Sequence, residues 1–171
     1  MPRKKIDKSM KVVQKDVKVI QRRVPKYDYL KYYRVVRYWA KYKYELSNED
    51  LEIIQFIYTE RLFSKTRFIE YCNIFSFNKT RFKDLIRDDW IRSWRNAEGG
   101  KTALYEASFK AKLMMASFYR KLNGEEEFPT TTKSNPTFKR DTYTKKVMSN
   151  EMLRINKEIR LRLRNSNNRI Q

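Results

Sequence analysis

The sequence predicts a mainly α-helical chain with one small β-hairpin and helical, basic extensions at both ends. Three observations carry this. Apolar residues recur at three- and four-residue spacing along most of the 171 residues, repeatedly just after a serine that can cap a helix. Only three glycines and four prolines are present, too few for a turn-rich sandwich or barrel. The period changes from helical to alternating once, at Trp90–Arg95, just ahead of the turn-forming pair Gly99-Gly100.

Taken in order, Val13, Val17, Ile20 and Val24 form one stripe of a helix over 10–24, which Pro25 ends. A second helix spans about Tyr27 to Glu45, with Tyr29, Tyr33, Val36 and Ala40 on one face. Ser47 is the N-cap of the next helix. Glu49 and Asp50 complement its dipole, and Leu51, Ile54, Ile57, Tyr58 and Leu62 face inward. Ser64 caps a third helix containing Phe68, Ile69 and Cys72. Ser76 or Asn78 caps a fourth, over 78–87, which buries Phe82, Leu85 and Ile86. Asp88-Asp89 ends it, because Asp tolerates the left-handed conformation. Trp90–Arg95 and Lys101–Glu106 pair as the hairpin, and their alternation favours core packing for Trp90 and Trp94 over stacking on bases. Ser108 caps a fifth helix carrying Leu113, Met114, Phe118, Tyr119 and Leu122, closed by Asn123-Gly124. Residues 125–142, acidic and then rich in Pro, Thr and Ser, read as a linker. A last helix over about 144–164 has Met148, Met152, Ile155, Ile159 and Leu163 as its stripe. The expected organisation is a basic N-terminal arm (1–26), a folded domain (27–124), a linker (125–142) and a basic C-terminal helix (143–171).

Charge narrows the function. Forty Lys and Arg against twenty Asp and Glu leave +20, a field that draws polyanions. Residues 1–26 hold ten basic and two acidic side chains, and 129–171 hold eleven and three. The middle, with nineteen and fifteen, is near balance. The lone Cys72 allows no intramolecular disulfide, and the absence of histidine removes the commonest general base and metal ligand. Asp88-Asp89 is better explained as a helix stop than as a cation site. The expectation is therefore a non-enzymatic protein without cofactor or metal. The basic start leads into no apolar run and no stretch is long enough to span a bilayer, so a cytoplasmic place is expected, on the nucleoid or within a nucleoprotein particle.

Helix, helix, helix, hairpin, helix is the order of a winged helix with a helix-turn-helix inside it. Residues 46–122 resemble the DNA-binding region of MarR-type transcriptional regulators. Leu46-Ser47 with Ile54, Phe56 and Ile57 resembles that family's second helix, and Phe63-Ser64-Lys65-Thr66-Arg67-Phe68-Ile69 the start of its helix-turn-helix. Ser76-Phe77-Asn78-Lys79-Thr80-Arg81-Phe82-Lys83-Asp84-Leu85-Ile86 resembles its recognition helix. Asp88-Asp89-Trp90-Ile91 stands at the entry to the wing, and Ala107–Lys112 where the family has Leu-Thr-x-Lys-Gly-x. The family's Asp-x-Arg in the wing is replaced by Glu98-Gly99-Gly100-Lys101, and Asp89 and Ala111 stand where Gly is usual.

A recognition helix enters the major groove end-first, so short polar and basic residues near its start must reach base edges. Asn78, Lys79, Thr80, Arg81 and Lys83 meet that need, with Arg81 suited to guanine, Asn78 to adenine and Thr80 to phosphate or a thymine methyl. Lys65 and Arg67 stand at the start of the preceding helix, and Arg92, Arg95 and Lys101 on the wing suit backbone or minor groove. The expected partner is double-stranded DNA, with RNA the other candidate polyanion and no membrane. The resemblance implies a homodimeric transcriptional regulator, joined through helices 10–24, 109–122 or 144–164. The charge stored in the arms supports a different expectation: an architectural component of a virion or ribonucleoprotein assembly, its winged helix packed against protein.

Overall fold

In the computed structural model, residues 29–167 are described; the arm 1–26 and the helix expected over 10–24 lie outside them. The chain is mainly α-helical with a two-stranded antiparallel sheet. In order come α1 (Tyr29–Tyr44), α2 (Asn48–Thr59), α3 (Lys65–Phe75), α4 (Arg81–Arg87), β1 (Ile91–Arg95), β2 (Leu104–Ala107), α5 (Phe109–Leu122), a 3-10 turn (Pro136–Lys139) and α6 (Tyr143–Asn167). No described helix is long and apolar enough to cross a membrane.

Local chemistry explains most boundaries. The Ser47 hydroxyl accepts from the Asp50 amide at 3.0 Å while Asp50 reaches back to the Ser47 amide, a capping box that starts α2. Ser64 and Ser108 accept from the amides of Arg67 and Ala111 in the same way. Asp89 takes the left-handed conformation at φ 57° and turns the chain from α4 into β1. At the hairpin tip Gly99 (φ 56°) and Gly100 (φ 76°) occupy two successive positive-φ positions, where side chains are strained.

The fourth helix is shorter than the sequence pattern suggests. It begins at Arg81, not Asn78, because the Asn78 side chain accepts from the Thr80 amide and hydroxyl at 2.9 and 2.8 Å and closes a turn before the helix can start. Several side chains expected inside are on the surface: Leu62, Ile86, Leu113, Leu163 and Trp94, the last 54% exposed. The hairpin has two strands and, among the described residues, no layer over its outer face, so Trp90 is buried at the base of the hairpin while Trp94 stands out from it.

One hydrophobic core runs through the described chain, and α1 is its axis. Val36, Trp39 and Ala40 are fully buried where α1 meets α5 and α6. The same cluster takes in Phe128 and the α6 stripe Met148, Met152, Ile155 and Ile159. Residues 125–142 are therefore no linker: they form a strap fastened to the core. Asn156 of α6 accepts from the Phe128 amide at 2.7 Å and donates to its carbonyl at 2.8 Å. Asn135 accepts from the Thr137 amide and donates to the Pro129 carbonyl, and both Asn135 and Thr137 are fully buried. Lys121, only 1% exposed, sets its ammonium 4.6 Å from the Trp39 ring, against the Glu126 carboxylate and the Glu127 carbonyl.

Two stability tests follow from the strap. Phe128→Ala removes a buried ring that meets Trp39 edge-on at 6.2 Å, and an expected loss of about 3–5 kcal/mol is read from urea unfolding. Ending the chain at Gly124 removes Phe128 and the α6 stripe, and the expected result is a circular-dichroism melt with no cooperative transition. A truncated chain melting as sharply as the whole one would show that the core closes without α6.

Candidate nucleic-acid interface

The face built by α3, α4 and the hairpin is held from behind by aromatic rings. Phe82 of α4 lies 4.9 Å from Phe68 of α3 and 5.0 Å, edge-on, from Tyr105 of β2. Tyr105 in turn exchanges two backbone hydrogen bonds, 3.0 and 2.8 Å, with Phe63 in the segment between α2 and α3. That bridge lays a third, single-residue strand beside the hairpin. The Trp90 amide donates to the Leu85 carbonyl, and the Ser108 hydroxyl donates to the Asp89 carbonyl at 2.7 Å. The orientation of α4 relative to the hairpin is thus fixed at both ends of the helix.

On this scaffold the arginines face carboxylates. Arg81 places Nε and Nη2 on Asp50 Oδ1 at 2.8 and 2.6 Å and Nη1 on Asp84 Oδ2 at 3.1 Å, so all three guanidinium nitrogens are engaged. Asp50 is 5% exposed. Burial alone would push its carboxyl up, but hydrogen bonds from Arg81 and Ser47 and the nearby guanidinium charge outweigh this and hold it below its ordinary value of 3.8. Arg67 pairs with Glu70 at 2.8 Å and donates to the Tyr71 hydroxyl, which donates to Glu60. Arg87 pairs with Asp84 and Asp88, both at 3.0 Å. Arg92 pairs with Glu106 at 2.6 Å, and Lys112 meets the other oxygen of that carboxylate at 2.5 Å. The hydrogen bond from Lys112 and that from Arg92 lower the Glu106 carboxyl against the effect of burial.

The lysines differ. Lys65, Lys79 and Lys83 line one groove of about 290 Å³ between α3 and α4, over a floor of Phe68, Ile69 and Phe82. All three are exposed, and among the described residues none has an ion-pair partner. Thr80 shares the groove. On the hairpin Arg95 donates to the Thr102 carbonyl at 3.1 Å and lies 5.9 Å from the Trp94 ring, with no carboxylate partner among the described residues, and Lys101 stands exposed beside the Gly-Gly tip.

The structure therefore gathers Lys65, Lys79, Thr80 and Lys83 in one place and sets Arg95 and Lys101 apart on the hairpin. It engages Arg67, Arg81 and Arg92 in ion pairs, and the Asn78 carbonyl oxygen already holds two donors. Asp50 is the residue the site depends on that sequence reasoning passed over. Its place in a capping box was legible in Ser47-x-x-Asp50, but the guanidinium 31 residues away was not. Cys72 is buried on the inner side of α3, and burial pushes its thiol up, which suits an apolar filler. The helices expected to support self-association expose Phe109 and Leu113 on α5 and Leu153 and Leu161 on α6.

Comparison of the chain with protein-family models, with curated proteins and with solved structures finds no match.

The Arg81–Asp50 pair yields a signed prediction. Arg81→Ala leaves a buried carboxylate without its cation, and the expected loss of stability near neutral pH is about 2–3 kcal/mol. Because the folded carboxyl is depressed, the pair's contribution is complete above the ordinary value and is lost as pH falls through and below it. The gap between wild type and variant in urea unfolding should accordingly shrink below about pH 4. A gap that stayed constant down to about pH 2 would remove Asp50 as its source.

Proposed function

We propose that this chain is a non-enzymatic DNA-binding protein of winged-helix type, with α2, α3 and α4 as its helix-turn-helix core and β1–β2 as its wing. On this reading α4 and the turn before it lie at the major groove, and the wing lies on the neighbouring backbone or minor groove. Three things support the assignment of type: the element order, the Phe63–Tyr105 bridge that adds a short third strand to the hairpin, and the MarR-like pattern over residues 46–122. The observation that carries the function is unbalanced charge on that one face. Lys65, Lys79 and Lys83 in the groove and Lys101 on the hairpin are exposed without carboxylate partners among the described residues, in a chain whose net charge is +20. Like charges held close repel one another in the free protein, and a row of phosphates relieves that repulsion.

Duplex DNA fits better than duplex RNA. The B-form major groove admits a helix, while the deep, narrow A-form groove does not. The expected result for the whole chain, titrated by fluorescence anisotropy against a 30-base-pair DNA duplex, is an affinity that falls on the order of 10³-fold between 50 and 200 mM salt. The RNA duplex of the same sequence should bind more weakly at every salt concentration. No DNA binding at the lowest salt, or an affinity indifferent to salt, would overturn the proposal.

A further inference from the structure

We infer that the α3–α4 groove is a phosphate seat, and that the described domain holds duplex DNA of any sequence by its backbone without reading bases through α4. The inference rests on the DNA-binding reading above and says what that binding recognises.

Base discrimination in the major groove depends on side chains that present two groups at once: Arg to guanine O6 and N7, Asn or Gln to adenine N6 and N7. The reading end of this α4 has one of each, and both are occupied from within. Arg81 has all three nitrogens on Asp50 and Asp84. Its release would strand Asp50, whose side chain is 7% exposed and has no other cation against it among the described residues. Asn78 would have to accept from adenine with the oxygen that already accepts from the Thr80 amide and hydroxyl, which fills both its lone pairs. Freeing that oxygen would undo the turn that sets the start of α4. The Arg67–Glu70 pair is exposed at both partners and can exchange at little cost, and the buried Glu106 would keep Lys112 if Arg92 let go, but neither arginine lies on α4.

The side chains left over are of another kind. Lys65 comes from the start of α3, Lys79 from the turn, and Lys83 from α4, so three segments bring cations to one groove. An ammonium is a compact, rotatable point charge with no preferred plane; it suits a phosphate oxygen and gives little angular discrimination between base edges. The apolar floor of Phe68, Ile69 and Phe82 offers no donor or acceptor for a base, while it supports the lysine stems. On this face the labour is divided: Arg67, Arg81 and Arg87 sit inside the protein's own charge network, and Lys65, Lys79 and Lys83 face the polyanion.

The experiment uses the full-length chain and three fluorescein-labelled 20-base-pair duplexes, one A·T-rich, one G·C-rich and one mixed, each titrated over a salt series. Wild-type affinities for the three should agree within about threefold at each salt concentration. Replacing Lys65, Lys79 and Lys83 together by Ala should weaken all three by the same factor, about tenfold or more, and flatten the log–log salt slope by roughly 3. The three side chains are exposed, and a thermal melt confirms that the variant folds. Replacing Lys139, Lys146 and Lys157, exposed lysines outside the groove, removes the same charge and should do markedly less. Equal losses from the two triple variants would overturn the seat. A duplex preferred by about thirtyfold or more, with the preference lost in Asn78→Ala or Arg81→Lys, would establish base reading and overturn the inference. Failure of the wild type to bind any duplex would instead overturn the DNA-binding reading beneath it.

Discussion

A carboxylate that cannot reach water has to be met from inside the protein, and Asp50 sets that condition for the α2–α4 region. Its two oxygens serve different masters. Oδ2 takes the Ser47 amide and hydroxyl and so starts α2, while Oδ1 takes two nitrogens of Arg81 and so places α4. Helix initiation and helix orientation are therefore joined through one side chain. Shifting α4 by a single residue would turn Arg81 roughly 100° away and leave the buried charge unmatched. Asp84 then faces the outer edge of the same guanidinium and passes the network on to Arg87 and Asp88. A helix of only seven residues has little intrinsic stability, and this network, with Phe82 wedged between Phe68 and Tyr105, is what holds it in place.

The far side of the core repeats the principle with different chemistry. Lys121 is buried among Trp39, Phe128 and the Glu126 carboxylate, where ring faces and an anion together replace water around its ammonium. Glu126 is also held by Ser117 and Arg120, so the segment leaving α5 is bound before Phe128 enters the core. Asn156 then pairs with both backbone groups of Phe128, which would otherwise be buried without partners. The strap and α6 belong to the domain for these reasons, and α1 lies between α5 and α6 as the element both must cover.

What the sequence disclosed and what it withheld divide along contact distance. Ser47, Ser64 and Ser108 act as caps, Asp89 reverses the chain and Gly99-Gly100 forms the tip, because each of these is decided within about four residues. The buried stripes of α2 and α6 are legible except at their ends: Leu51, Ile54 and Ile57, and Met148, Met152, Ile155 and Ile159, face inward, while Leu62 and Leu163 do not, since periodicity names an inward face without saying how far the core that meets it extends. The strap was misread because Pro, Thr and Ser dominate its composition while three residues, Phe128, Asn135 and Thr137, decide its fate. Arg81 was assigned to guanine because its position matches a recognition helix; nothing local announces that Asp50 reaches it first. Trp94 was misplaced because alternation predicts a covered face only where a second layer exists to cover it.

The same distinction bears on how charge is divided along the chain. On the α3–α4 face carboxylates meet Arg67, Arg81 and Arg87, and the surplus that remains there is lysine. The two outer segments carry most of the excess, with ten basic against two acidic side chains over 1–26 and eleven against three over 129–171. Point charges on long stems gain affinity for a phosphate row without requiring a base order, and so do charged arms. In the proposed reading the groove and the basic segment 1–26 therefore act on the same feature of the duplex, its backbone. The groove brings three cations together from packed elements, so it can define orientation on the helix, while further cations add affinity. A protein built this way gains from any length of duplex and from none in particular, which is the behaviour of a component that covers or packages DNA. A regulator that must find one site needs the opposite arrangement, with its arginine facing out and its carboxylate partner absent.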